Sequence, residues 1–211
     1  MQTLTVKYRP GTLAEVRGHE AIIRKLQTYA ADPYPCALLF HGDTGVGKTA
    51  TALALARALG AGVTAEGVEL HNPEYAEAAG LYMLSSNKLS VEKIRETQDR
   101  LRHYGRSMFG GTGWRVVIVD EADVMSKEAQ DSWLSLLDDP PANTTVIFTC
   151  NSGHKLAQRF LHRCEYHHFD FGIESAPTEA KRAANVQPAA TPAAGRFGTA
   201  PIRALQHLAH P

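Results

Sequence analysis

The stretch that decides the fold is Gly42-Asp43-Thr44-Gly45-Val46-Gly47-Lys48-Thr49, which has the pattern G-x-x-x-x-G-K-T. It directly follows the apolar run 37–40 and directly precedes the helix-favouring run 50–56. Glycines let the backbone fold so that successive N–H groups point inward, and the helix adds the positive end of its dipole at the same place. A chance glycine-rich turn is disfavoured because strand, loop and helix occur in the required order. The stretch therefore predicts a phosphate-binding loop.

Two side chains of this loop suit a nucleoside triphosphate. Lys48 is expected to reach the β- and γ-phosphates, and the Thr49 hydroxyl is expected to bind Mg²⁺. ATP and Mg²⁺ are therefore the predicted cofactors. The predicted nucleotide contacts in this part of the chain are Gly42, Asp43, Thr44, Gly45, Val46, Gly47, Lys48, Thr49 and Ala50.

Length and composition favour one principal domain. The chain has 211 residues, and 22 basic side chains balance 22 acidic ones. Neither disorder nor a surface that attracts nucleic acid as a whole is indicated. Cys36, Cys150 and Cys164 lack metal or redox spacing and are expected to be small buried residues in a reducing compartment. Because no signal-peptide pattern or membrane-spanning run is found, we expect a soluble cytoplasmic protein without a membrane partner.

Apolar strand-like runs alternate with amphipathic helical stretches along most of the chain. This pattern indicates a parallel sheet covered on both faces. We therefore predict an α/β fold with a five-stranded parallel sheet flanked by helices over residues 1–171. Residues 172–200 are rich in Ala and Pro and predict a linker or disordered segment, whereas 201–211 recover a short helical pattern. The predicted strands are 37–40, 81–84, 116–119, 146–149 and a weaker fifth at 167–171.

An acidic pair, Asp120-Glu121, closes the third predicted strand. Because the carboxyl ends of parallel strands share one edge with the phosphate loop, Asp120 is expected to hold Mg²⁺. Glu121 is expected to orient and deprotonate the water that attacks the γ-phosphate. The Asp-Glu-Ala-Asp sequence at 120–123 also suggests a helicase, but a helicase needs two recombinase-like domains and this chain has room for one. Asp123 is expected to begin or cap the next helix.

Asn151 follows the fourth predicted strand. A neutral amide at that position can contact both the γ-phosphate and the attacking water without adding charge. The competing interpretation is a turn-forming asparagine in Asn-Ser-Gly.

A set of further motifs occurs in a recognisable order. They are Lys7-Tyr8-Arg9-Pro10, Val16-Arg17-Gly18-His19-Glu20, Gly113-Trp114-Arg115 leading into 116–123, Asp138-Asp139-Pro140-Pro141, Thr149-Cys150-Asn151 and His162-Arg163-Cys164. With the phosphate loop, they resemble the AAA+ ATPase domain of sliding-clamp loaders, namely the small subunits of replication factor C and the bacterial tau/gamma subunit. The resemblance covers residues 4–170. It is specific because few ATPases combine the Tyr-Arg-Pro start with the Arg-Cys end.

The resemblance implies roles for residues outside the loop. Asn151 would be the sensor-1 residue of the chain's own site. Arg163, with His162 in place of the family's serine, would be an arginine finger that enters the neighbouring subunit's site. The residues that would border the adenine pocket are Tyr8, Arg9, Pro10, Val16 and Gly18.

The resemblance also implies an oligomeric ATPase of DNA replication that hydrolyses ATP at subunit interfaces. Its partners would be other clamp-loader-type subunits or copies of itself, a sliding clamp and primer-template DNA. The sequence after Phe171 is too short for the family's three-helix lid and helical collar, which implies a truncated lid and no collar. Arg203 would be a candidate sensor-2 contact to the γ-phosphate.

Basic residues outnumber acidic ones between residues 87 and 106. In clamp loaders the corresponding helix faces DNA, and contacts to phosphates would be independent of sequence and sensitive to salt. A solvated helix face with mixed charge is the alternative. The candidate DNA contacts are Lys88, Lys93 and Arg95.

Two other functions remain open from the sequence. The chain could be a nucleotide-binding assembly subunit with little turnover, or an AAA+ loader or remodeller of a helicase or recombination complex. A zinc site is not expected, because adjacent positions on a strand point to opposite faces and no second cluster completes four ligands. The residues considered for zinc were His162, Cys164, His167 and His168.

Overall fold

A five-stranded parallel sheet forms the centre of the computed structural model, which describes residues 9–64, 67–103 and 112–170. The strand order is β2-β3-β4-β1-β5, and every adjacent pair is parallel. The predicted five-stranded sheet is therefore confirmed, although the last strand begins at Glu165 rather than at His167. The strands are β1 Cys36–Gly42, β2 Leu81–Ser85, β3 Arg115–Asp120, β4 Thr144–Cys150 and β5 Glu165–Phe169.

Helices connect the strands in the described residues. Short 3₁₀ turns occur at Leu13–Glu15, Ser86–Lys88, Ala122–Val124 and Gly153–Lys155. None of the described helices is long and apolar enough to cross a membrane. The α-helices are α1 Glu20–Ala31, α2 Lys48–Ala58, α3 Pro73–Ala78, α4 Val91–His103, α5 Lys127–Asp138 and α6 Gln158–Leu161.

Both faces of the sheet are buried, which explains the continuous apolar runs of its strands. In β1, Leu38 and Phe40 belong to the core cluster that contains residues of α1 and α2. Leu39, between them, belongs to the opposite cluster with Trp133 of α5 and Phe148 of β4. Alternate residues of a strand point to opposite faces, so a strand covered on both sides needs an apolar residue at every position.

The start of α5 corrects the prediction for Asp123. Glu121 adopts a left-handed conformation with φ of 57°, and the chain then makes the 3₁₀ turn Ala122–Val124. The cap of α5 is Ser126, whose hydroxyl accepts a 3.2 Å hydrogen bond from the backbone N–H of Ala129. The prediction that Asp123 begins or caps this helix is wrong because the turn delays the helix start.

Strand β4 lies between β1 and β3. Since the strands are parallel, the loop after β1, the acidic pair after β3 and Asn151 after β4 all lie at the same edge of the sheet. The predicted linker 172–200 and terminal helix 201–211 lie outside the described residues.

Candidate active site at the carboxyl edge of the sheet

The phosphate loop connects β1 directly to α2. Gly42, Gly45 and Gly47 have φ values of +153°, +85° and +97°, which residues with a Cβ rarely adopt. At Gly42 the space is also closed, because a Cβ would lie 2.0 Å from the carbonyl oxygen of Phe169 in β5. The conformation of the loop and the packing of β5 against it therefore both require glycine at this position.

The ammonium group of Lys48 is held inside the loop. The residue is 7% exposed, and Nζ donates to the carbonyls of Gly42 at 2.7 Å and Asp43 at 2.8 Å and to Oδ1 of Asn151 at 2.9 Å. Burial lowers the pKa of Lys48 below that of an ordinary lysine, although Cys150 and nearby carboxylates, including Asp120, oppose this shift. These bonds keep the buried amine satisfied and place it at the mouth of the loop.

Asp120, the last residue of β3, is hydrogen-bonded to the start of α2 and to the end of β4. Its Oδ1 accepts a 2.9 Å hydrogen bond from Thr49 and a second hydrogen bond from Thr149 at the end of β4. The Thr149 hydroxyl in turn accepts a 3.1 Å hydrogen bond from the backbone N–H of Glu121. The Thr49 hydroxyl and Asp120 carboxylate are the kind of oxygen ligands that Mg²⁺ prefers, so the residues present fit that ion.

Glu121 has an uncommon backbone conformation for a residue with a side chain. Its φ and ψ are 57° and 47°, and such conformations are found preferentially at functional sites. Glu121 is exposed and lines a cleft of about 270 Å³. The other lining residues are Thr44, Gly45, Gly47, Lys48, Thr49, Ala50, Asp120, Thr149, Cys150 and Asn151.

Two residues at or next to this cleft were not assigned to the site from the sequence. Thr149 was identified as part of a strand and of the Thr149-Cys150-Asn151 motif without a role of its own, although a hydroxyl at the end of an apolar run was the signal available. Asp123, which was interpreted as a helix cap, is 8% exposed, and its carboxylate accepts a 3.4 Å hydrogen bond from the backbone N–H of Asn151. Thr149, in the wall of the cleft, therefore supports Asp120, and the buried Asp123 supports Asn151.

The residues predicted to border the adenine do not all line one cleft. Val16 and Gly18 line a cleft of about 650 Å³, and the next residue, His19, has Nε2 3.2 Å from the carbonyl oxygen of Val46 in the loop. Arg9 instead lines a separate cleft of about 200 Å³ beside β2. The carbonyl of Pro10 accepts a 2.9 Å hydrogen bond from Arg57. Tyr8 and Arg203 lie outside the described residues.

Arg163 lies between α6 and β5 and is not among the residues that line the cleft. Its guanidinium forms an ion pair with Asp138, the last residue of α5. Hydrogen bonds to this carboxylate raise the pKa of Arg163, so the side chain stays charged. The placement leaves Arg163 apart from the phosphate loop of its own chain.

Several charges of α4 are paired within the helix or with α3. Lys93 forms a 3.3 Å ion pair with Glu96, and Arg100 contacts both Glu96 at 2.6 Å and Glu77 at 2.8 Å. Arg95 is exposed and has no hydrogen bond or ion pair within the described part of the chain. The side chain of Lys88 lies outside the description. The charge of Arg95 is therefore more available to a phosphate than that of Lys93.

Comparison with known proteins identifies the family. Residues 18–171 match the family described as DNA polymerase III, delta subunit. The chain belongs to the clamp-loader family of AAA+ proteins. It is 30% identical to the replication factor C small subunit of Haloarcula marismortui over 173 residues, which cover 82% of this chain and 49% of that relative. Replication factor C subunit 3 of Saccharomyces cerevisiae is 30% identical, with 85% of this chain and 48% of that protein covered.

Solved structures support the same fold for this clamp-loader-family chain. A DNA polymerase III gamma subunit-related protein from Thermotoga maritima has a TM-score of 0.54 at 17% identity, covering 74% of this chain and 47% of that one. The RuvB Holliday junction branch migration motor of the same organism has a TM-score of 0.57 at 19% identity, covering 84% and 54%. The chain spans about half the length of the replication factor C relatives that it matches.

Proposed function

We propose that this chain binds ATP with Mg²⁺ at the phosphate loop and hydrolyses the ATP as a subunit of a sliding-clamp-loader-like complex in DNA replication. The observation that carries this proposal is the meeting of Lys48, Asp120 and Asn151 at one edge of the sheet. Lys48 and Asn151 follow β1 and β4, and Asp120 ends β3. Hydrogen bonds join Lys48 to Asn151 and Thr49 to Asp120. A lysine, a carboxylate and an amide held in this way suit phosphoryl transfer, which depends on positioning and charge stabilisation.

The mechanism assigns one task to each side chain. Lys48 exchanges its carbonyl and amide partners for oxygens of the β- and γ-phosphates. Thr49 and Asp120 would hold Mg²⁺, which neutralises phosphate charge when bound. Glu121 orients the attacking water and accepts its proton, while the amide of Asn151 contacts the γ-phosphate and the same water.

Completion of the site requires a neighbouring subunit. Arg163 is a cation at a different part of the surface from the cleft, so the arginine that stabilises the transferring phosphoryl group comes from another protomer. That neighbour is another clamp-loader-type subunit or a second copy of this chain. The replication factor C names of the relatives favour a role in DNA replication over one on a recombination complex. The proposed clients are therefore a sliding clamp and primer-template DNA, as the clamp-loader resemblance implies.

The domain limits belong to the same proposal. Residues 1–171 form the ATPase core, 172–200 are a linker, and 201–211 are a short helical segment that carries Arg203. In that arrangement Arg203 would be a further contact to the γ-phosphate.

A Glu121→Gln variant tests whether the cleft hydrolyses ATP. We expect the variant to bind ATP in the presence of Mg²⁺ with nearly unchanged affinity and to release phosphate at least about 10²-fold more slowly. The matched control is Glu128→Gln, which changes an exposed glutamate in the first turn of α5. Equal phosphate release by wild type and Glu121→Gln would refute the assignment and favour an assembly subunit with little turnover.

The shared site is tested by mixing two inactive chains. Lys48→Ala chains cannot use their own loop but supply Arg163, whereas Arg163→Ala chains supply an intact loop. We expect the mixture to recover hydrolysis that neither variant shows alone. No recovery at any mixing ratio would contradict hydrolysis at an interface between copies of this chain.

A further inference from the structure

The guanidinium of Arg163 is held by three hydrogen bonds within its own chain. Its Nε and Nη2 donate to the two carboxylate oxygens of Asp138, the Nη2 contact measuring 3.3 Å. Its Nη1 donates to the carbonyl of Arg159. A two-point contact between arginine and a carboxylate sets the orientation of the guanidinium plane as well as its position.

Two N–H groups of Arg163 remain available to bind a phosphate group. A guanidinium carries five N–H groups, and Asp138 occupies the edge formed by Nε and Nη2. One N–H on Nη1 and one on Nη2 have no acceptor within residues 9–64, 67–103 and 112–170. These nitrogens form the outer edge of the group, which can bind two phosphate oxygens at once. The side chain is 32% exposed, so an anion from outside the chain can reach it.

The Asp138 carboxylate is 55% exposed, but the helix that carries it is packed on the core. Asp138 ends α5, and this helix is anchored by Trp133, which is fully buried. Arg163 follows α6, where Phe160 is buried and stacks edge-on against Phe148 with ring centroids 4.8 Å apart. Trp133, Phe148 and Phe160 belong to one core cluster. The ion pair therefore connects two elements that are packed on the same face of the sheet.

We propose that Asp138 is a positioning residue for Arg163, which it holds so that the outer edge of the guanidinium faces phosphate oxygens in the neighbouring subunit's site. This inference rests on the proposed function. Because two N–H groups remain available, the arginine can bind phosphate without leaving Asp138. The ion pair between Arg163 and Asp138 therefore stays closed during catalysis and fixes the guanidinium in place; we call this fixed pair the brace. Small misplacement of a catalytic group can lower a rate by about 10²-fold, so the brace affects turnover more than nucleotide binding.

The mixing experiment separates a brace from a general structural role. The unmodified mixture contains Lys48→Ala chains, which supply the arginine, and Arg163→Ala chains, which supply the phosphate loop. In the first test mixture, Asp138→Asn is added to the Lys48→Ala chains only. In the second, it is added to the Arg163→Ala chains only. We expect kcat to fall by about tenfold or more with KM for ATP unchanged in the first mixture. Turnover in the second mixture should match that of the unmodified mixture. A variant that merely damaged the fold would lower both.

The neighbouring carboxylate provides a matched control. Asp139→Asn in the arginine-supplying chain removes the same charge one residue away, where no contact with Arg163 is made, and should leave kcat unchanged. A kcat that does not change with Asp138→Asn in that chain would overturn the proposal. A kcat that rises would also overturn it, because Asp138 would then be restraining the arginine.

A second measurement does not depend on hydrolysis. The NMR signal of the Arg163 Nε–H group, identified by its loss in Arg163→Lys, reports directly on the bond to Asp138. We expect its exchange with water to be about tenfold faster in Asp138→Asn than in wild type, since a hydrogen-bonded N–H is protected. Equal exchange rates would overturn the brace even if the unmodified mixture hydrolyses ATP. If the unmodified mixture shows no turnover but the Arg163 Nε–H group exchanges more slowly in wild type than in Asp138→Asn, then Asp138 does hold Arg163. That result would contradict only the shared site between copies of this chain.

Discussion

The Nζ of Lys48 donates a 2.9 Å hydrogen bond to Oδ1 of Asn151, a residue 103 positions away in the sequence. The bond joins the phosphate loop after β1 to the tip of β4, the strand beside it. In the proposed function, Nζ would pair with oxygens of the bound triphosphate, which would leave the amide of Asn151 available to the γ-phosphate.

Asn151→Ala should slow hydrolysis with little effect on ATP affinity. Removing a single donor to a developing charge lowers kcat by about 10²-fold or more, while Lys48 keeps its contacts to the phosphates. The two effects are measured by phosphate release and by nucleotide titration, with Lys48→Ala chains present to supply Arg163. Ser152→Ala, at the adjacent position, is the control. An unchanged kcat would leave Asn151 as a turn residue only.

Thr149→Val should impair catalysis through Asp120 and Glu121. The substitution keeps the branched shape but removes the hydroxyl that donates to Asp120 and accepts from the N–H of Glu121. We expect a loss of about 1–3 kcal/mol in the free energy of unfolding together with a lower kcat. Thr144→Val, at the opposite end of β4, removes a hydroxyl bonded to the carbonyl of Ala142 at 3.3 Å and should affect stability without changing kcat. Equal kcat values for the two variants would contradict this role of Thr149.

Gly42→Ala should destabilise the fold far more than Gly45→Ala. The added methyl group at Gly42 would meet the carbonyl of Phe169 at 2.0 Å, whereas at Gly45 nothing lies within 4 Å and only the φ of +85° is unfavourable. We expect losses in the free energy of unfolding of about 3 kcal/mol or more and about 1–2 kcal/mol, respectively. Urea unfolding measures both. Similar losses in the free energy of unfolding for the two variants would show that β5 is not packed tightly against Gly42.

Arg95→Ala should weaken DNA binding more than Lys93→Ala. Lys93 is paired with Glu96 at 3.3 Å, so less of its charge is available to a phosphate. The slope of log affinity against log salt should decrease in magnitude by about 1 for Arg95→Ala and by less for Lys93→Ala. Lys127→Ala, an exposed lysine at the start of α5, controls for net charge. Equal slopes for all three variants would support a helix face that is merely solvated.

Stability should fall as the pH is lowered below neutrality, and His167 should contribute to that fall. His167 is 4% exposed, and burial lowers the pKa of its imidazole although Glu165, 3.4 Å away, opposes the shift. The unfolded chain therefore binds the proton more readily, and stability is lost from about pH 6.5 downward, by up to about 1.4 kcal/mol per pH unit. His41 adds to the effect, because burial and the neighbouring His168 also lower its pKa.

His167→Phe should reduce this pH dependence. Phenylalanine can keep the ring contact with Phe40, whose centroid is 5.6 Å from that of His167, and it cannot be protonated. His71→Gln removes a histidine whose side chain is 79% exposed and should leave the pH profile unchanged. Parallel profiles for wild type and His167→Phe between pH 7 and pH 5 would exclude His167 as a source.

The sequence by itself determined the loop, the strands and most of the helices. These features depend on neighbours along the chain: a backbone that needs glycine at Gly42, Gly45 and Gly47, short apolar runs that favour strands, and apolar residues at helical spacing. The same local signals placed Lys48 and Thr49 at the start of a helix and Asp120 at the end of a strand. They did not place Asp123, since the left-handed turn at Glu121 has no marker such as glycine.

Only the tertiary structure decided which of these residues meet. Insertion of β4 between β1 and β3 is set by how the crossover helices pack on the sheet, and it brings Thr149 to Asp120 and Asn151 to Lys48. The pairing of Arg163 with Asp138 likewise depends on α5 and α6 sharing one core. Contacts between distant segments follow from the packing of whole elements, which no local pattern of residues encodes.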